Sequence, residues 1–159
     1  MKHRALKIVS GGQTGADRAA LDWALANGID CGGWCPKGRR AEDGVIPAAY
    51  PLTETPLPAY AQRTEWNVRD SDATVIFSLA PRLTGGSRLT RDLAARYGKP
   101  FLHLHPALPS EHLLREFLER HRIRVLNVAG PRASGEAEVG GYVRRILDEV
   151  LGGPRGSRR

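Results

Sequence analysis

A doubly wound α/β fold, with a mostly parallel sheet of about five or more strands and helices on both faces, is what this sequence predicts. Three observations carry it. Five short apolar runs alternate with five segments of helical period, the pattern of βαβ units. Glycine-rich turns stand where a strand hands over to a helix, at residues 10–15 and 83–87. Parallel strands need right-handed crossovers, which distribute the helices over both faces. In such sheets ligands bind at the carboxyl ends of strands, where the strand order reverses.

The elements follow in order. A first strand, 5–9, runs through Ser10-Gly11-Gly12-Gln13-Thr14-Gly15 into a helix at 16–26, which Asn27-Gly28 closes as a left-handed cap. A second strand is expected at 29–34. Residues 35–58 are rich in Pro and Gly and have no period, so they form a long irregular segment of the kind that often carries function. A helix at 60–69 ends at Asp70-Ser71-Asp72, before the strongest strand, 73–79. The second Gly-rich turn opens a helix at 87–97. Gly98-Lys99-Pro100 ends it and starts the strand 100–104. Ser110 follows Pro109 and begins a helix at 110–121. A strand at 125–129 and a helix at 136–151 complete a single domain over 1–151. The composition of 152–159 predicts a disordered basic tail.

Bulk composition narrows the function. Hydrophobic content of 41% and charged content of 26% are those of a globular protein. No apolar run is long enough to cross a bilayer, and the stretch after Met1-Lys2-His3-Arg4 is too short for a signal peptide. A cytoplasmic location with no membrane partner is therefore expected. The net charge is +7, and the tail carries Arg155, Arg158 and Arg159. The mildly basic body suits an anionic small ligand. It lacks the dense basic stripe interleaved with aromatics that nucleic acid requires, which disfavours a nucleic-acid partner. Cys31 and Cys35 lack CxxC spacing and a second ligand pair, so no directly protein-coordinated metal is predicted. His103 and His105 share one side of a strand without a further ligand, and read as satisfied or exposed. No Ser–His–Asp or Cys–His set can be assembled, so no catalytic residue is assigned.

Binding residues are more legible. Backbone N–H groups at a helix N-terminus form a ready phosphate or carboxylate site. The first turn offers Gly11, Gly12, Gln13, Thr14 and Gly15, with the Asp17 carboxylate beside them. The second offers Gly85, Gly86, Ser87 and Thr90. Two such turns in one parallel sheet can meet across one crevice, which predicts a shared anion site. Neither ends in the Lys-Ser/Thr of a Walker A loop or has GxGxxG spacing, so ATP hydrolysis and hydride transfer are disfavoured. In the 35–58 segment, Lys37 and Arg39, with Arg40, are placed to clamp a charged ligand. Glu42 and Asp43 suit ribose hydroxyls or an amine. On the helix at 60–69, Arg63, Trp66, Asn67 and Asp70 share one face. Asn67 stands out there as a weak helix former with both donor and acceptor, and Glu65 is a nearby carboxylate.

Taken together, SGGQTGADRAALDWA, GGWCPKGRRAEDGVI, YPLTET, RTEWNVRDSDATVIF and LTGGSRLT stand in an order and spacing that resemble the molybdenum carrier family. That family is similar to the larger Rossmann-like nucleotide-binding group of lysine-decarboxylase-like phosphoribohydrolases and DNA-processing protein A. The resemblance spans about residues 5–104, and the remainder is compatible with it. It implies a Rossmann-like fold, a homo-oligomer (dimer or tetramer), and a pocket for a small phosphorylated ligand. The implied cargo is molybdenum cofactor, a phosphorylated pterin whose dithiolene, not the protein, holds the metal. Carried onto this chain, Gly11, Gly12, Thr14, Gly15, Gly85, Gly86, Ser87 and Thr90 would hold its phosphate or oxyanions, with Lys37 and Arg39 nearby. A binding or carrier protein is therefore expected in preference to an enzyme. The alternative is a nucleotide-binding protein or a nucleoside-monophosphate phosphoribohydrolase. Enzymes of that kind use a PGGxGTxxE turn. Here the stretch is Thr84-Gly85-Gly86-Ser87-Arg88-Leu89-Thr90-Arg91-Asp92, without the proline, third glycine or glutamate. Asp17 or Glu65 would have to substitute.

Overall fold

The computed structural model describes residues 6–153. Strand β1 (Lys7–Val9) and helix α1 (Ala16–Ala26) flank the first Gly-rich turn, and α1 ends at Asn27 with Gly28 in the left-handed region, as the cap signal requires. Strand β2 (Asp30–Gly32) follows. Next come four two-residue strands: β3 (Trp34–Cys35), β4 (Arg40–Ala41), β5 (Gly44–Val45) and β6 (Thr53–Glu54). Helix α2 (Tyr60–Arg69), strand β7 (Ala73–Phe77), helix α3 (Gly85–Arg96) and strand β8 (Phe101–Leu104) form the middle of the chain. Helix α4 (Ser110–Arg120), strand β9 (Val125–Ala129) and helix α5 (Val139–Leu151) complete it.

The main sheet is five-stranded and parallel, in the order β2-β1-β9-β7-β8. The chain lays β2 outside β1 and β8 outside β7, then returns to insert β9 between the two halves. The order therefore reverses around β9, and a crevice is expected over the carboxyl ends of β1, β9 and β7. Alternate residues of each strand separate the faces. Ile8, Ala73, Val75, Phe77, Leu126 and Val128 join one core with α1, α4 and α5. A smaller cluster on α2 and α3 holds Val68, Leu93 and Ala94. Asn127, from the strand position between Leu126 and Val128, is buried and donates from Nδ2 to Thr74 Oγ1 at 3.2 Å. Polar groups thus replace apolar ones where the central strands approach the crevice. No helix among the described residues is long and apolar enough to cross a membrane.

Four expectations need correcting. The strand expected at 29–34 breaks at Gly33, where φ is 123° and a Cβ would lie 2.4 Å from the Ser10 carbonyl oxygen. Only a glycine lets the chain leave the sheet there. Trp34 and Cys35 pair instead with Thr53 and Glu54 in a separate parallel ribbon. The segment 35–58 is accordingly less irregular than its composition suggests, since β4 and β5 also pair, antiparallel. Helix α3 begins two residues before Ser87, with Gly85 and Gly86 inside its first turn. Helix α5 begins at Val139 rather than 136, because Glu136 and its neighbours are tied down as a loop. Of the tail expected at 152–159, residues 154–159 lie outside the described residues, as do residues 1–5 of the N-terminus.

Candidate ligand-binding cleft

A cleft of about 560 Å³ lies over the carboxyl ends of the central strands. Its wall is built from the turn after β1 (Gly11, Gln13, Asp17), one face of α2 (Arg63, Thr64, Asn67) and the stretch from Ser78 to the first turn of α3. The end of β9 and the loop to α5, from Asn127 to Glu136, close the remaining side.

The two Gly-rich turns do different work. Helix α3 has an open N-terminus. Thr84 stands at its N-cap in extended conformation without a side-chain capping bond, and a Cβ at Gly85 or Gly86 would meet nothing within 4 Å. The first-turn N–H groups of α3 therefore face the cleft with their dipole charge uncompensated. Ser87 and Thr90 are buried on its wall, and the Thr90 hydroxyl donates to the Gly86 carbonyl at 2.8 Å. Helix α1 has a filled N-terminus. Ala16 N–H donates to the Pro131 carbonyl at 3.2 Å, and a Cβ at Gly15 would lie 2.4 Å from that same oxygen.

The first turn is also split between faces. Gly11, Gln13 and Asp17 face the cleft. Gly12 packs against Leu52 and Ile46 of the 35–58 segment. Thr14 accepts from Ala133 N–H at 3.0 Å and donates to the Glu42 carboxylate. The Glu42 carboxylate also accepts the N–H of Ser134 at 3.1 Å, and the Glu42 backbone N–H donates to Gln13 Oε1 at 2.9 Å. Hydrogen bonds from Ser134 and Thr14 hold the Glu42 carboxyl below its ordinary range. Thr14 and Gly15 are thus positioned to fix the loop between β9 and α5, while Gly12 seats the 35–58 segment.

Asp17 is the buried carboxylate at the turn after β1, facing the cleft. Its carboxylate accepts Gln13 N–H at 3.3 Å and lies 3.9 Å from Arg63 Nη1. Burial pushes its pKa up to about 6, against the opposing pull of Arg63. Arg63 is itself buried, donates to the Gly11 carbonyl at 2.7 Å, and lies over the Tyr60 ring at 5.3 Å. Arg132 approaches the same ring at 5.4 Å and joins Arg82 and Arg63 as the cationic part of the wall. On the opposite side, Glu136 accepts Leu79 N–H at 2.6 Å and Ala80 N–H at 3.1 Å. The Ser78 hydroxyl lies 2.6 Å from both the Ala80 carbonyl and His103 Nε2. Its single proton serves the carbonyl, so His103 donates from Nε2, and its burial holds its pKa low.

Among the residues expected to bind ligand, Gly11, Gln13, Asp17, Asn67, Gly85, Gly86, Ser87 and Thr90 line this cleft. Asn67 has a second task there, because its side chain binds both backbone groups of Trp34, at 2.8 and 2.9 Å, and anchors β3. Six others lie off the wall: Gly12, Thr14, Gly15, Lys37, Arg39 and Glu65. Lys37 is exposed. The Arg39 guanidinium donates to the carbonyls of Ile46, Pro47, Tyr50 and Leu52, which makes it the internal brace of the 35–58 segment. Glu65 accepts the Tyr97 hydroxyl at 2.6 Å. Asp43 pairs with Arg18 at 2.6 Å.

Sequence reasoning missed the third wall. Gly130, Pro131, Ser134 and Gly135 follow a strand and precede a helix, the same signal that marked the other two turns. Arg63 was visible on the correct helix face but not separable from a solvated arginine. Among the described residues, no group of three or more His, Cys, Asp or Glu side chains is placed to hold a metal ion. Cys31 and Cys35 are free and buried, and burial pushes both thiols up.

Comparison with known proteins gives the family. Residues 8–151 match the model of the circularly permutated YpsA SLOG family. The chain is also similar to a solved structure described as "Putative molybdenum carrier protein" from Syntrophus aciditrophicus SB. The two are 47% identical and superpose with a TM-score of 0.90, over 93% of this chain and 96% of the other. A search of curated proteins gives no match. The chain belongs to the circularly permutated YpsA SLOG family.

Proposed function

We propose that this family member is a binding or carrier protein for a small phosphorylated ligand, with molybdenum cofactor (molybdopterin) the first candidate cargo. The observation that carries the reading is the open N-terminus of α3 in the cleft. Unsatisfied N–H groups and the helix dipole favour an oxyanion at Gly85, Gly86 and Ser87. Arg82, Arg63 and Arg132 supply the cationic surroundings that suit it. The likeness to the Syntrophus protein supports molybdenum cofactor as the cargo. No cysteine or histidine need touch the metal in this reading, because the pterin dithiolene holds it. The resemblance that suggests this cargo also implies a dimer or tetramer, which sedimentation velocity tests directly.

A second reading keeps the same anion site and makes the ligand a nucleotide. Asp17 favours extending it to N-glycosidic cleavage, since a buried carboxyl with a pKa of about 6 suits general acid–base work near neutrality. Glu65 does not serve here, being engaged by Tyr97 away from the cleft. Native mass spectrometry of protein gently purified from a molybdenum-replete host, with the released ligand identified after denaturation, separates the two. A molybdenum-bearing pterin dithiolene establishes the carrier reading. A nucleotide mass replaces it with the second. Release of free base from nucleoside monophosphates, lost in Asp17→Asn, would add catalysis.

A further inference from the structure

Gln13 is 5% exposed, lies in the turn between β1 and α1, and contributes to the cleft wall. Its Oε1 accepts two backbone N–H groups, from Thr14 at 3.0 Å and Glu42 at 2.9 Å. Those donors fix which end of the amide is oxygen, because the reversed group would set N–H against N–H. The Nε2 end is buried and has no hydrogen-bond partner, alone in this among the buried side-chain polar atoms of the described residues. A buried donor left unpaired is costly and uncommon in native proteins. The described residues supply no acceptor for Nε2, which leaves a molecule seated in the cleft that Gln13 lines as the candidate source of one.

The chemistry of that acceptor is constrained. Gln13 can only donate there, since its oxygen is already engaged twice. Its own backbone N–H is bonded to the Asp17 carboxylate, whose negative charge disfavours a phosphate oxygen alongside. The anion has a better position at the first turn of α3. We propose that Gln13 Nε2 is a specificity donor that reads a neutral acceptor, a carbonyl oxygen or ring nitrogen, on the heterocycle of the ligand. The site then selects phosphorylated oxo-heterocycles over phosphorylated sugars. This rests on the proposed anion site at α3 and adds a second contact point to it.

The test uses the full chain and three probes: guanosine 5′-monophosphate, 6-hydroxymethylpterin phosphate and ribose 5-phosphate. Gln13→Glu keeps an acceptor for Thr14 and Glu42 and removes the donor. Gln13→Met removes it without adding charge. Both variants are expected to weaken binding of at least one heterocyclic probe about tenfold or more, the scale of a lost buried hydrogen bond. In Gln13→Met, which adds no charge to the cleft, ribose 5-phosphate should change by less than about threefold, as nothing in its phosphate contact has altered. In ¹⁵N-labelled wild type, the Gln13 side-chain amide signals, identified by their absence in Gln13→Glu, should shift with the heterocyclic probe and not with the sugar. Equal loss for heterocycle and sugar, or an amide that does not respond, overturns the assignment while leaving the anion site standing. Wild type that binds none of the three probes overturns both.

Discussion

Placing a carboxylate at the first turn of α3 separates binding from folding. Gly86 is the second residue of that helix, its backbone is not in the left-handed region, and a Cβ there meets nothing within 4 Å. Gly86→Asp is therefore accommodated without displacement of neighbours. A negative charge in the first helical turn stabilises by about 0.3–1 kcal/mol. Removing glycine from a helix adds about 0.5 kcal/mol, less than the interior value because the position is terminal. The variant should be more stable by roughly 1 kcal/mol, which for a domain of this size raises Tm by about 2–5 °C. The same carboxylate occupies the place proposed for the ligand's oxyanion, so ligand retention should disappear. Gly86→Ala is the control: it should gain about 0.5 kcal/mol and keep its ligand. Thermal unfolding and ligand content of the purified proteins check both. An Asp variant that is stable and still carries ligand at the wild-type level refutes the placement of the anion at α3.

Three further outcomes follow from the packing. Asp17 has a folded pKa of about 6 against an ordinary value of 3.8, so the folded state takes up the proton first as pH falls. Its ionisation costs folding about 3 kcal/mol above pH 6, and this cost is relieved as pH falls toward 4. Urea unfolding of wild type and Asp17→Asn should then differ by roughly 2 kcal/mol more in favour of wild type at pH 4 than at pH 7.5, and a difference that is flat with pH refutes the burial argument. Gly15 has φ 81° and its Cβ would collide with the Pro131 carbonyl, so Gly15→Ala should lose about 2–4 kcal/mol in the same assay. Glu136→Ala removes the acceptor from Leu79 and Ala80 N–H, and should cost about 1–2 kcal/mol with faster amide exchange at those two residues.

Local signals made much of the fold legible. Helix α1 begins after Gly15 and ends at Asn27-Gly28, and α2 ends at Asp70, because capping chemistry acts over one turn of chain. The departure of Trp34-Cys35 from the main sheet was not legible, since the apolar run continues from Cys31 and nothing local distinguishes the two pairings. It depends on Ser10 approaching Gly33 and on Asn67 reaching back from α2 to the Trp34 backbone, both contacts between distant parts of the chain. The same holds for Arg39. An arginine in a Pro- and Gly-rich segment reads equally as an anion clamp or as a partner for orphaned carbonyls, and only the fold of 46–52 around it decides for the second.

The topology explains why two similar turns end up with different tasks. Inserting β9 between β1 and β7 places its following loop against the end of β1, where Pro131 meets the N–H of Ala16. The chain itself supplies the acceptor that a phosphate would otherwise bring to α1. Thr14 and Glu42 then hold that loop in place by hydrogen bonds to Ala133 and Ser134. Among the described residues no equivalent hydrogen bond covers the first turn of α3, and the next strand outward, β8, is the edge of the sheet. A Gly-rich strand-to-helix turn is thus an anion site only where the sheet order leaves its N–H groups uncovered. Opening the first turn by Glu42→Ala should loosen the 130–138 loop without moving the anion from α3, which hydrogen exchange at Ala133 and Ser134, read beside ligand retention, would register. Loss of ligand in that variant with α3 intact would instead assign the anion to α1.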